Sequence, residues 1–182
     1  MQQYSRSLLQ ALYDTGESIK YLFFWGHQPN ADGTIGKTCF SQWWESSFTV
    51  DGEVYNTAEH WMMAKKAILF EDMAAYKRVL LAKTPAEAKK IGREVNNFDP
   101  AIWETHKFEL VKQGNIHKFE QHPNLRTFLL QSQNRVLVEA SPRDTIWGIG
   151  MGASNPEVEN PHKWRGENLL GFALMEVRDF FA

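Results

Sequence analysis

Glu59 is the residue of this chain whose surroundings best suit it to move a proton. It lies in FTVDGEVYNTAEHWMMAKKAILF, residues 48–70, which reads as a short alternating strand, an Asp51-Gly52 turn pair and then a helix from Ala58 onward. On a 3.6-residue period Glu59 shares a face with Met62, Met63, Lys66 and Phe70, so the acid stands at the polar end of a largely apolar stripe. Partial desolvation favours the protonated form of a carboxyl group, which suits general acid or base work near neutral pH. The same spacing also permits a purely structural use. With Asn56 as N-cap, Glu59 falls at N3, and Asn56-x-x-Glu59 becomes a capping box whose acid satisfies a backbone donor.

Other polar and aromatic residues carry two readings each. Lys89, Lys90 and Arg93 cluster near the end of one expected helix, as a solvated face or, at Gly92-Arg93, as a phosphate contact. Trp43 and Trp44, in FSQWWESSF at 40–48, either pack in a core or wall a site for a flat ring. Asp144 stands three residues before Trp147 in a segment rich in Gly, Pro and Asn, 140–167, where an aspartate bonds to its own backbone or serves a site. The six histidines, at 27, 60, 106, 117, 122 and 162, form no HExxH or paired-ligand spacing, and Cys39 is the only cysteine. No metal and no cofactor is expected, and neither a G-x-S-x-G elbow nor a nucleophilic cysteine context supports acyl chemistry.

These residues need elements to hold them. Residues 5–13 read as a short peripheral helix within an N-terminal segment of 20 residues, and Tyr21 to Trp25 as a buried aromatic strand. The glycine-rich stretch 26–38 is a loop without the strand-to-helix context of a phosphate loop. Asp72 to Ala82 reads as a second helix, and Thr84-Pro85-Ala86-Glu87 starts a third as a capping box with proline at N1. Asp99-Pro100 opens a long fourth helix reaching about Gln121, in which Gly114 marks close packing or a break. Pro123 ends it, Leu125 to Leu130 makes a short helix, Arg135 to Glu139 a strand, and Asn168 to Phe181 a terminal apolar helix. No repeat or linker interrupts the 182 residues, so a single domain is expected.

Composition narrows the function. With 43% hydrophobic residues the chain can bury a sizeable core without disulfides, and one thiol fits a reducing, cytoplasmic setting. No signal peptide or 18-residue apolar window is present, so no membrane partner is expected. Twenty basic against 22 acidic residues, a formal net charge of −2, argue against coating nucleic acid by bulk charge.

The motifs FFWGH at 23–27, SQWW at 41–44, YNTAEHWMMAKKA at 55–67, AKKIGREV at 88–95, Trp103, HKFEQHPNLRTFLL at 117–130, LVEASPRDTIWGIG at 137–150 and RGENLLGFALMEVR at 165–178, in this order, resemble the NADAR family, also called YbiA-like. The resemblance covers nearly all of residues 21–181 and implies a compact, mainly α fold with a few short β-strands. It implies an N-glycosidase cutting the bond between a base and a phosphorylated ribose, foremost in ribosylaminopyrimidine phosphate intermediates of riboflavin synthesis. Alternatives are removal of ADP-ribose from guanine in nucleic acid, or a non-catalytic module binding ADP-ribose or NAD. The family's essential glutamate, tryptophan and aspartate correspond to Glu59, Trp103 and Asp144. Lys66, Arg93 and Lys107 are candidates for the ribose phosphate, and Trp44, Trp147, Gly148 and Asn168 are expected on the substrate side. The implied partner is a small phosphorylated ribosyl molecule, with nucleic acid only under the alternative, and nothing in the sequence sets an oligomeric state. Where many members read Ser-Asn-Phe before the glutamate motif, this chain has Ser41-Gln42-Trp43-Trp44, a change on the base-binding side.

Overall fold

The structure, a computed structural model, describes residues 2–182. In chain order its elements are α1 (Arg6–Asp14), β1 (Tyr21–Phe24), a single 3-10 turn (Lys37–Phe40), β2 (Phe48–Val50), β3 (Glu53–Tyr55), α2 (Ala58–Leu69), α3 (Met73–Leu81), α4 (Pro85–Arg93), α5 (Pro100–Gln121), α6 (Pro123–Leu130), β4 (Val136–Glu139) and α7 (Leu169–Phe181). The fold is thus mainly α with a few short strands, as the resemblance implies. No described helix is long and apolar enough to cross a membrane.

The chain divides into two compact units, one formed by residues up to Ser41 with Asn124–Ala182, the other by Gln42–Pro123. In the contiguous unit, β2 and β3 pair antiparallel around Asp51 and Gly52. Both turn residues have positive φ, 52° and 84°, the backbone of a two-residue hairpin that suits Asp-Gly. Helix starts follow their caps: the Thr84 hydroxyl accepts from Glu87 N at 3.1 Å, and Asp99 Oδ1 accepts from Ala101 N at 2.7 Å ahead of Pro100. Asp72, the N-cap of α3, accepts from Ala75 N through one oxygen and from Asn96 N and Nδ2 through the other. Gly114 marks close packing rather than a break. A Cβ there would come 2.3 Å from Trp61 Cδ1, and the Trp61 indole donates to Leu110 O at 2.8 Å. Around that indole stand the Phe48, Tyr55 and His117 rings, a buried aromatic nest tying the hairpin and α5 to α2.

In the other unit β1 pairs with β4 in parallel, Tyr21 opposite Val136 through Phe24 opposite Glu139. The expectation that Tyr21 to Trp25 is buried needs correcting: only Phe24 is fully buried, and Trp25 is 59% exposed. Two strands have no third neighbour to cover their outer edges, so an aromatic run long enough for a core strand ends in the open. The segment 140–167 is structured by its own backbone. Ile149 N donates to Glu139 O, Gly150 N to Asp144 O, Arg165 N and Gly166 N to Ile149 O, and Asn168 N to Gly148 O. Trp164 is 2% exposed and its indole donates to Val158 O.

Candidate active site

Glu59 is 2% exposed and sits in the first turn of α2. The capping-box reading fails by one residue: the N-cap is Thr57, whose hydroxyl accepts from His60 N. Glu59 is therefore N2, not the N3 position from which a box reaches back. Thr57 prevails because its hydroxyl also meets His60 Nδ1 at 2.8 Å, while His60 Nε2 donates to Ala82 O at 3.1 Å. The imidazole is thus held as the neutral Nε2–H tautomer, with Nδ1 accepting from Thr57. The amide of Glu59 donates to Gln42 O at 2.9 Å, which ties the start of α2 to the loop carrying Trp43 and Trp44.

Gln42 in turn is fixed by α5. Asn115 Nδ2 donates both to Gln42 Oε1 at 2.8 Å and to Val111 O at 2.9 Å, which leaves one orientation for each amide, since flipping either would oppose like groups. Gln42 Nε2 and Asn115 Oδ1 remain buried and without a hydrogen-bond partner among the described residues. Buried polar atoms of this kind are rare and call for an explanation. Neither residue stood among the sequence-predicted site residues. The visible signals were an asparagine beside Gly114 in a helix interior and the glutamine that replaces the usual Asn.

Burial lowers the His60 pKa below its ordinary 6.5, against smaller opposing contributions from the Ala82 carbonyl and Glu87. The unfolded chain therefore takes up a proton that the folded chain resists, so this residue's stabilisation is complete above about pH 6.5 and declines as pH falls below it. We expect the melting temperature to drop between pH 7 and pH 5 and His60→Gln to flatten that drop. Equal losses in parent and variant would count against the assignment.

Lys66 lies one face-repeat beyond Glu59 on α2. Its ammonium donates to Gly92 O at 2.7 Å and stands 4.0 Å from the Phe98 ring and 5.6 Å from the Trp103 ring. Desolvation lowers its pKa. The structure thus brings Lys66, Trp103 and the end of α4 together, with Gly92 so close to α2 that a Cβ would strike Met63 Sδ. Arg93, next to Gly92, is exposed. Lys107 is 5% exposed and its ammonium pairs with Glu104 one turn back. Trp44 is half-buried, and its carbonyl accepts from Ser46 Oγ.

Asp144, Trp147, Gly148 and Asn168 belong to the other unit. The turn reading of Asp144 is visible in its Oδ1, which accepts from Ile146 N at 2.9 Å, Trp147 N at 2.7 Å and Gly148 N at 3.4 Å. This converging set of amides orients the carboxylate and leaves Oδ2 to other work. A Cβ on Gly148 would come 2.8 Å from Glu139 O, so the loop folds tightly onto the end of β4. Asn168 differs in kind. It is 0% exposed, and its side chain accepts from Glu139 N and donates to Leu137 O, both at 2.9 Å. Its amide is spent on β4, a framework contact rather than one offered to a ligand. Among the described residues no group of three or more His, Cys, Asp or Glu could hold a metal ion.

The NADAR domain matches residues 23–182. An N-glycosidase of Acanthamoeba polyphaga mimivirus is 44% identical over 168 residues, covering 90% of this chain and 97% of the relative. The N-glycosidase YbiA of Escherichia coli strain K12 is 32% identical over 133 residues, covering 73% of this chain and 74% of its own. The NMR structure of E. coli YbiA superposes with a TM-score of 0.70 at 26% identity, covering 91% of this chain and 86% of that one. These relatives make the reaction class hydrolysis of an N-glycosidic bond. A family match over most of the chain, near-complete overlap with a viral N-glycosidase and a shared fold lead to one conclusion: this chain belongs to the NADAR domain family.

Proposed function

We propose that the protein hydrolyses the C–N bond between a pyrimidine base and a 5-phosphorylated ribose, as in the ribosylaminopyrimidine phosphates of riboflavin synthesis. The observation that carries this reading is the buried Glu59 carboxylate in the first turn of α2, its backbone anchored on Gln42 O. Cleavage of a ribosyl C–N bond builds positive charge on the sugar ring, which an ionised carboxylate stabilises. Water adds to C1′ as the C1′–N bond breaks. The proton that water loses ends on the departing nitrogen, so free base and ribose 5-phosphate result without any other reactant. Glu59 is the carboxylate of this chemistry, with Trp103 a stacking face for the base, and the family resemblance assigns Asp144 as a second carboxylate.

Lys66 is the phosphate contact the geometry favours, because its ammonium is half-buried and already oriented by Gly92 O. Charge-assisted hydrogen bonds are worth about 1.5–3 kcal/mol, so Lys66→Met should raise KM for the phosphorylated substrate by roughly tenfold or more and leave kcat near the parent value. The test is release of ribose 5-phosphate from the early riboflavin intermediates, followed for the parent and for Lys66→Met. No release by the parent, beside an active relative, refutes the substrate. An unchanged KM refutes the role of Lys66.

A further inference from the structure

Residues 3–12 precede the matched NADAR domain, which begins at 23, yet they wall a cavity of about 480 Å3 against α7 and the start of β4. All of it lies within the unit that contains α1 and α7. The apolar side of α1 carries Leu8, Leu9 and Leu12, but only Leu9 is buried; Leu8 is 58% and Leu12 39% exposed. Polar ties hold the helix in place instead. The Tyr4 hydroxyl donates to Asp179 Oδ2 at 2.6 Å, and Arg6 Nε and Gln10 Nε2 both donate to Pro161 O, at 3.1 and 3.2 Å. Leu8 and Leu12, with Val136, Phe172 and Met175, therefore line open space, apolar surface that an apolar ligand would take out of water. A cavity that follows α1 from Ser5 to Leu12 spans about 10 Å at 1.5 Å per residue, and its volume falls in the usual range of small-molecule sites, about 300–1,000 Å3.

One residue of the wall is a buried cation. Arg178 is 6% exposed, and its Nη1 is spent on Ser132 Oγ and Arg135 O, at 3.0 and 2.8 Å. Its Nε meets Asp179 Oδ1 only at 3.9 Å, beyond hydrogen-bond reach. Desolvation pushes the guanidinium pKa down, against smaller raising contributions from Asp179 and Tyr4. The Asp179 side chain is the more exposed of the two, so water screens its charge more and the cavity is biased toward an anion. A carboxylate suits a guanidinium because it accepts two N–H groups of the planar fork. The rest of the wall favours a flexible chain over a flat ring: Phe172 is 2% exposed, whereas the leucines and Met175 present adaptable aliphatic side chains. We propose that this cavity binds a medium-chain fatty acid, its carboxylate held by Arg178 and its tail lying between α1 and α7. The site shares no residue with the candidate active site, so failure of the substrate proposed above would leave it standing.

The full chain is titrated calorimetrically with octanoate, with 1-octanol as the uncharged counterpart and acetate as the bare head group. Octanoate should bind with submillimolar affinity, and 1-octanol and acetate at least tenfold more weakly. Leu8→Glu and Leu12→Glu, each of which sets a like charge in the wall, should weaken octanoate binding at least tenfold while the melting temperature stays at the parent value, since both leucines are exposed. Arg178→Lys should weaken octanoate and leave 1-octanol unchanged; because Arg178 also ties Ser132 and Arg135, the leucine variants decide if this one unfolds early. Octanoate that fails to bind at millimolar concentration, or that binds both leucine variants as tightly as the parent, overturns the assignment. So does 1-octanol bound as tightly as octanoate, which would leave Arg178 without a part in the site.

Discussion

Glu59→Gln lowers kcat by about 1,000-fold or more while the melting temperature stays within a few degrees of the parent. The substitution keeps the volume and shape of a side chain that is 2% exposed, so packing is retained. It removes only the charge and the proton chemistry. Since Thr57 caps α2 and meets His60 N, the helix start does not hang on Glu59. A carboxylate near a helix N-terminus contributes about 0.3–2 kcal/mol, a few degrees of melting temperature at most for a chain of this size. Thermal unfolding and turnover measured on the same preparation decide the matter. Activity within tenfold of the parent, or unfolding many degrees lower, would mean that the carboxylate serves the fold.

Gly171→Ala is expected to destabilise the protein by about 3 kcal/mol, a fall of roughly 6–12 °C in melting temperature for a chain of this size. In an ordinary helix the change would stabilise, because alanine is the better helix former by about 1 kcal/mol. Here the added methyl would stand 2.1 Å from Leu137 O and 2.5 Å from Asn168 Nδ2. A backbone carbonyl in β4 cannot swing aside, and Asn168 is fixed by its two bonds to that strand. Gly152→Ala, where the methyl meets nothing within 4 Å, is the matched control and should leave stability unchanged. An unaltered melting temperature for Gly171→Ala would show that α7 can move away from β4 at little cost.

How far the sequence carries depends on the range of the interactions involved. The starts of α4 and α5 are readable because Thr84-Pro85 and Asp99-Pro100 hold their signals within four residues. The start of α2 at Ala58 is readable too, but its N-cap is not, because Asn56 and Thr57 are both capping types. What decides between them, the bond of His60 to Ala82 O, comes from 22 residues away. Asn168 reads as a substrate contact from its place in a motif, yet its partners lie in a strand that local spacing cannot relate to it. Glu59 is noticeable from its helix face alone. The roles proposed for Trp103 and Asp144 come from the ordered motifs of the family, and no periodicity suggests them. The Gln42–Asn115 pair escapes both routes, since it is a contact across 73 residues.

The pairing of β1 with β4 bears on how the protein is made. The two strands lie roughly 100 residues apart in sequence, so a ribosome adding about 5–20 residues per second leaves the YLFFW segment without its partner for about 5–20 s. Over that interval Gln42–Pro123, a contiguous unit with its own aromatic nest, emerges whole and can fold. Until then the exposed strand offers unpaired backbone and four consecutive aromatic or aliphatic side chains, a template for aggregation. Translation speed and chaperone supply should therefore govern the yield of this protein more than its final stability does, and slowing synthesis across residues 100–135 should lower the soluble fraction.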